Sequence, residues 1–403
     1  MLAAEPTSTA ANAINALGID LLHQTGNAGA NALLSPYSIQ SALAMTYAGA
    51  DGDTRAEMAK VLHYPKDDVE VHRSFAALRK ALDDVMQKSV RDAERMRQSG
   101  GKTDPITLTT ANRLFGQTGY AFREPFLKLV KDNYDAPFEP LDFAGNSSST
   151  TKHINAWVEE QTHKRIRDLL PGGALNNLTR LVLVNAIYLK APWADEFSEY
   201  ATSPQTFHLG ANNSGTVATM MAQRSLGYAR RDGCTALTMP YRGGELQFLI
   251  LLPDKVDGLA ELEKALTGRL LADCSQMNRQ DVILYLPKFK LEPPTMSLGR
   301  ELQSLGVKSA FDVPHGSANF DRIAPRRPDD YLYISEVFHK TFLSLDEKGT
   351  EAAAATAVVM MTRGMASPRP KPIEVRVDHP FLFAIQHRAS GACLFLGHVS
   401  DPR

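Results

Sequence analysis

Apolar side chains recur at helical spacing through Ala10, Ile14, Leu17, Leu21 and Leu22, which predicts an amphipathic helix over 9–25. Ser35 followed by Pro36 predicts the start of a second helix, because a serine caps the first turn and proline loses no needed donor there. The run Gly49-Ala50-Asp51-Gly52-Asp53-Thr54 ends that helix and begins another. Ile106 to Phe115 alternates and is β-branched early, as a strand should be, and helices are expected around 126–134 and 154–166. Leu181 to Leu189 is almost wholly apolar, the pattern of a strand covered on both faces. Asn185 interrupts it, and a buried amide without a partner costs about 1–3 kcal/mol. Residues 235–241 and 246–254 read as two strands joined by Arg242-Gly243-Gly244-Glu245. Further strands are expected at 282–289, 331–345, 379–385 and 393–399, with a helix at 298–305 closed by Gly306. No internal repeat and no interdomain linker interrupts the chain, so a single domain over 1–403 is expected.

One stretch departs from this ordinary texture. From Thr350 to Thr362 there is neither proline nor glycine, and Thr350, Ala352, Ala354 and Thr356, which share one face of an extended chain, are all small. Such a segment can slide into a sheet as a strand; alternatively Thr350 caps a short helix that the alanines fill. Beyond Arg363 the character reverses, because Pro368, Pro370 and Pro372 each remove a backbone donor.

Charge and candidate chemistry narrow the picture mostly by exclusion. A formal net charge of -1 gives no field that would imply nucleic acid as a partner, and no apolar run is long enough to span a membrane as a helix. Cys234, Cys274 and Cys393 lack the spacing of metal sites or disulfide frameworks and read as packing residues, with at least one left unpaired or intermolecular. There is no nucleophile elbow, zinc-binding His-Glu-x-x-His or glycine-rich dinucleotide turn. Ser99-Gly100-Gly101-Lys102-Thr103 looks like the end of a phosphate loop, but the first glycine of that motif would fall at Met96. Residues 73–102 carry Arg73, Arg79, Lys80, Lys88, Arg91, Arg95, Arg97 and Lys102 against Asp83, Asp84, Asp92 and Glu94, a mixed pattern that reads as a solvated helix face followed by a loop.

Glu347-Lys348-Gly349-Thr350-Glu351-Ala352-Ala353, continued by Ala354, Ala355 and Thr356, resembles the hinge of the reactive-centre loop in serpins, a family of serine-protease inhibitors. The likeness extends over nearly the whole chain. It implies an α+β fold of three β-sheets and about nine helices, with an exposed loop at 347–375. It implies no enzyme and no cofactor, but a metastable suicide inhibitor that acts as a monomer on a serine protease. Counted from Glu347 as the first residue, the seventeenth is Arg363, so the reactive bond is expected at Arg363-Gly364 and the target is expected to be trypsin-like. The segment after Arg363 is longer than in familiar members, which leaves Met361, Met365 and Arg369 as alternative cleavage residues; methionine points to elastase-like or chymotrypsin-like targets.

By the same resemblance, Ser35, Ser38, Asn185 and His339 form a shutter beneath the sheet centre, with His339 mid-strand and hydrogen-bonded across the sheet to Asn185. Trp193, Lys288 and Glu347 mark the breach where the loop enters, the Lys288–Glu347 pair setting its entry. Some serpins bind glycosaminoglycans through the helix near 73–102, which gives weak polyanion binding as a second reading of that face. The competing class is a non-inhibitory serpin acting as a binding or chaperone-like protein; the small hinge residues favour the inhibitor. Met1-Leu2-Ala3-Ala4-Glu5-Pro6 lacks the features of a secretory signal, so an extracellular or periplasmic place is expected if a signal has been removed and a cytoplasmic one otherwise.

Overall fold

A computed structural model of the chain describes residues 7–26, 29–101, 103–210, 212–351 and 371–403. Among the described residues are nine α-helices and three sheets of nine, six and two strands. The nine-stranded sheet runs in the order 32–34, 393–399, 381–387, 246–253, 234–240, 213–231, 279–287 and 373–376, with 203–210 added on the long strand 213–231. Its C-terminal hairpin, Phe381–His387 with Cys393–Val399, is buried throughout. The helices Ser8–Thr25 and Pro36–Gly49 pack against it. Ser35 caps the second of these by accepting the Ser38 N–H at 3.2 Å, and Pro36 occupies the first turn.

The six-stranded sheet carries the segment of interest and is called the main sheet below. Its order is 289–291, 343–346, 349–350, 181–192, 107–117 and 138–141. The expected strand at 181–189 extends to Pro192 and becomes the central strand, paired along its length with Thr107–Gln117. The two sheets meet through aromatic rings: Phe289 lies 5.7 Å from Phe383, which stacks on Phe248 at 5.5 Å.

Two sequence expectations change. The continuous strand expected at 331–345 is split into Phe338–His339, paired with Met296–Ser297, and Leu343–Asp346, with 331–337 outside any strand. A strand forms only where a neighbour receives its N–H and C=O groups, and over 331–337 the central strand stands across a cleft. The helix expected at 154–166 instead spans Phe143–Gln161, because His163 and Lys164 adopt left-handed φ of 50° and 65°.

Asp68–Gln98 forms one 31-residue helix, capped by Asp67 through the Val69 and Glu70 N–H groups. Four of its basic residues are paired: Arg79 with Asp83 at 3.2 Å, Lys80 with Asp84 at 2.8 Å, Arg95 with Asp92 at 3.6 Å, and Lys88 with Glu245. Cys234, Cys274 and Cys393 are free and buried, and burial raises all three thiols.

Because Phe383 joins the two sheets and is 1% exposed, Phe383→Ala is expected to lose about 3–5 kcal/mol, read as a lowered urea midpoint.

Candidate functional site

The site is built where the small-residue stretch begins. After Leu343–Asp346 the chain reverses over Glu347 and Lys348 and returns as Gly349–Thr350, which pairs with the strand it has just left and with the central strand. Gly349 stands opposite Pro192 and Thr350 opposite Ala191. The reversal is pinned by Asp346, whose Oδ1 accepts the Lys348 N–H at 2.9 Å and the Gly349 N–H at 3.3 Å. Trp193 N–H donates to the Lys348 carbonyl at 2.8 Å, and Phe197 N–H to that of Glu347 at 2.8 Å. Gly349 has φ +149°, and a Cβ there would lie 2.1 Å from the Ala191 carbonyl oxygen. Only glycine fits that seat.

Thr350 is buried, its hydroxyl 2.5 Å from the Tyr241 hydroxyl. The Tyr241 ring stacks on Trp193 with centroids 4.6 Å apart, and the Trp193 indole N–H donates to the Asp346 carbonyl at 2.9 Å. Trp193 therefore packs at the point where Gly349–Thr350 enters the sheet. Beside it, the Glu347 carboxylate meets the Lys288 ammonium at 2.8 Å and accepts the Thr202 hydroxyl at 2.7 Å. Burial pushes the Glu347 carboxyl up, and these two partners more than offset it, leaving it below the usual range. Neighbouring Asp346 goes the other way, raised by burial.

Below Thr350 the main sheet is parted. Among the described residues, Gly349 and Thr350 are the whole of the strand pairing on that flank of the central strand. A cleft of about 170 Å³ opens between the central strand and residues 331–339, lined among others by Leu43, Leu183, Ile334, Ser38, Asn185 and His339. The N-terminal turn of helix Pro36–Gly49 spans its floor. On the central-strand side, the Ser38 hydroxyl donates to Asn185 Oδ1, Asn185 Nδ2 to Asn112 Oδ1, and Asn112 Nδ2 to the Tyr134 carbonyl at 2.8 Å. On the other side, the Ser35 N–H donates to His339 Nε2 at 3.1 Å and the Ser35 hydroxyl to the Leu394 carbonyl at 2.7 Å.

The bond expected between His339 and Asn185 is not made. The two walls of the parted sheet are each tied to the helix beneath, His339 through Ser35 and Asn185 through Ser38. Asn112, Tyr241 and Thr202 were missed in the sequence. Asn112 carried a usable signal, an amide within an apolar strand directly opposite Asn185; Tyr241 and Thr202 carried none, since their contacts cross between distant segments. Ala352, Ala353, Ala354, Ala355, Thr356, Met361, Arg363, Gly364, Met365 and Arg369 lie outside the described residues.

Full burial holds His339 neutral, its pKa lowered to about 3, whereas an unfolded imidazole titrates near 6.5. The unfolded chain therefore takes up a proton that the folded one refuses. The stability from neutral His339 is complete above about pH 6.5 and is lost as pH falls toward 3. Urea midpoints measured from pH 8 to pH 4 are expected to fall less steeply for His339→Gln than for the wild type; equal slopes would contradict the assignment.

Comparison with known proteins accords with this geometry. The family model described as Serpin (serine protease inhibitor) matches residues 12–402. Leukocyte elastase inhibitor of Bos taurus is 37% identical over 98% of this chain and 99% of its own length. A cleaved Serpin 42Da superposes with TM-score 0.80 at 31% identity, covering 99% of this chain and 100% of that one. Uncleaved ovalbumin superposes with TM-score 0.79 at 28% identity, covering 97% and 99%. The strand Gly349–Thr350 seated against the central strand, the α+β architecture and the match over nearly the full length together make this chain a member of the serpin family of protease inhibitors.

Proposed function

We propose that this serpin inhibits serine proteases as a suicide substrate, with cleavage at Arg363-Gly364 followed by entry of the loop into the main sheet. The observation that carries the reading is the seated hinge above an open flank. Continuing the existing register sets Glu351 opposite Lys190 and Met360 opposite Leu181, so ten further residues match the remaining length of the central strand. The same register sets Thr356 opposite both Asn185 and His339, the pair that the parted sheet holds apart.

Attack by the protease serine on the Arg363 carbonyl forms an ester and frees the Gly364 amine. Water then competes with strand entry for that ester. About ten new backbone hydrogen bonds at roughly 0.5–1.5 kcal/mol net each supply on the order of 10 kcal/mol to drag and distort the enzyme. Small side chains are required because Thr350, Ala352, Ala354 and Thr356 enter the buried face, as Thr350 already has. An arginine before the scissile bond suits a specificity pocket carrying a carboxylate, as in trypsin.

A second reading of the target follows from the relative that is named an inhibitor of leukocyte elastase, together with Met361 and Met365 beside Arg363. Cleavage after methionine would direct the trap to elastase-like or chymotrypsin-like enzymes.

Mixed with trypsin, the protein is expected to form a complex that survives a denaturing gel and to release a fragment beginning at Gly364. A fragment beginning elsewhere moves the reactive bond, and cleavage without a complex supports the non-inhibitory alternative. Thr350→Arg puts a charge into the buried seat from which the proposed insertion starts, so it is expected to convert the inhibitor to a substrate, with a loss of complex of tenfold or more, an order-of-magnitude figure set by the cost of an unpaired buried charge.

A further inference from the structure

The turn that follows helix Phe143–Gln161 contacts the main sheet on both sides of the strand Gly349–Thr350. The His163 ring lies 4.7 Å from Tyr188 on the central strand. The Arg165 guanidinium stands 5.1 Å from the Phe342 ring, next to the strand Leu343–Asp346. Farther along, the Lys340 ammonium donates to the Arg167 carbonyl at 2.7 Å, and the Thr295 hydroxyl to that of Asp168 at 3.3 Å. The turn is thus fastened to both walls of the gap that a new strand has to enter.

Its contact with the hinge is Arg165 to Glu351. The Arg165 Nε is paired with the Glu351 carboxylate, whose side chain is 11% exposed, and the other carboxylate oxygen is buried without a hydrogen-bond partner. Glu351 keeps its tie to the strand behind it, N–H to the Ser344 carbonyl at 2.9 Å, but makes no strand pairing with the central strand. Its φ is +50°, a left-handed conformation that a glutamate adopts only when its surroundings impose it. Insertion cannot pass this residue until φ returns to the extended region and the carboxylate leaves its place under the turn.

We propose that the Arg165–Glu351 pair is a clasp that arrests the hinge at Thr350 and sets the rate at which the loop enters the sheet. Arg165 is a positioning residue, acting on the hinge and not on the protease. The inference rests on the reading of the loop as an inserting strand. It adds a specific residue that balances two demands: the intact inhibitor has to resist spontaneous insertion, and the acyl-enzyme has to insert faster than it hydrolyses.

The test holds intact protein at raised temperature and follows the fraction that becomes resistant to urea, a readout of strand addition that needs no protease. Arg165→Ala and the near-isosteric Glu351→Gln are each expected to convert about five times faster than the wild type, the scale of a partly exposed ion pair. The double variant is expected to convert no faster than either single one, and Arg165→Lys to stay near the wild-type rate. Wild-type rates in both single variants, or a double variant whose acceleration is the product of the two, overturns the clasp. An Arg165→Lys variant as fast as Arg165→Ala also overturns it, since shape and not charge would then be responsible. Trapping of trypsin, assayed in parallel, tests the inhibitor reading separately: a wild-type chain that traps nothing overturns that reading and leaves the comparison of conversion rates standing.

Discussion

The structure is governed by one demand, that of the flank of the central strand Leu181–Pro192, which among the described residues finds strand partners at its upper end alone. A strand interior to a sheet satisfies its backbone groups on both sides, and among the described residues this one is paired along its length toward Thr107–Gln117 alone. The other features of the site serve to hold that state. Asp346, Trp193 and Phe197 pin the reversal that seats Gly349, and Tyr241 receives Thr350. Ser35 and Ser38 tie the two walls separately to one helix end, so the floor is rigid while the sheet above it stays parted.

Much of this was legible in the sequence, and the reasons for the remainder are physical. The entry of Gly349–Thr350 into the sheet was signalled by composition: a segment that joins a sheet with one face buried is small at alternate positions, as Thr350, Ala352, Ala354 and Thr356 are, and of these Thr350 lies among the described residues and is buried. The strand 107–117 could be read from its early alternation and β-branched residues, and 181–192 and the C-terminal hairpin because continuous apolar runs of that length are strands covered on both faces. Residues 331–337 have the composition of a strand, yet pairing depends on a neighbour, and composition does not report where the neighbour stands. For the same reason the polar ties were only half visible. Asn185 announced itself as an amide in an apolar run, but its partners Ser38 and Asn112, and the attachment of His339 to Ser35, depend on which wall of the gap each side chain serves.

Charge enters at two places with different roles. Lys288 and Thr202 hold Glu347 at the rim, where the hinge departs from the strand behind it. Arg165 holds Glu351 four residues later, where the proposed insertion would continue. Both carboxylates are largely shielded, yet the burial cost is more than offset at Glu347 and not at Glu351, whose carboxyl is raised. The rim pair therefore favours the charged form of Glu347, whereas Arg165 does not fully offset the burial of Glu351.

The central claim, that a strand's worth of backbone pairing is withheld in the intact chain, is tested most directly by thermal unfolding of the intact protein beside the same protein cut once in the loop by a protease outside the serine class, which the proposed trap does not hold. If the withheld pairing is there to be made, the cut chain inserts, and its midpoint rises by at least about 10 °C, the shift that some 10 kcal/mol makes in a chain of this size. A cut chain that melts with the intact one would mean that the open flank receives no strand, and the proposed trap would fall with it.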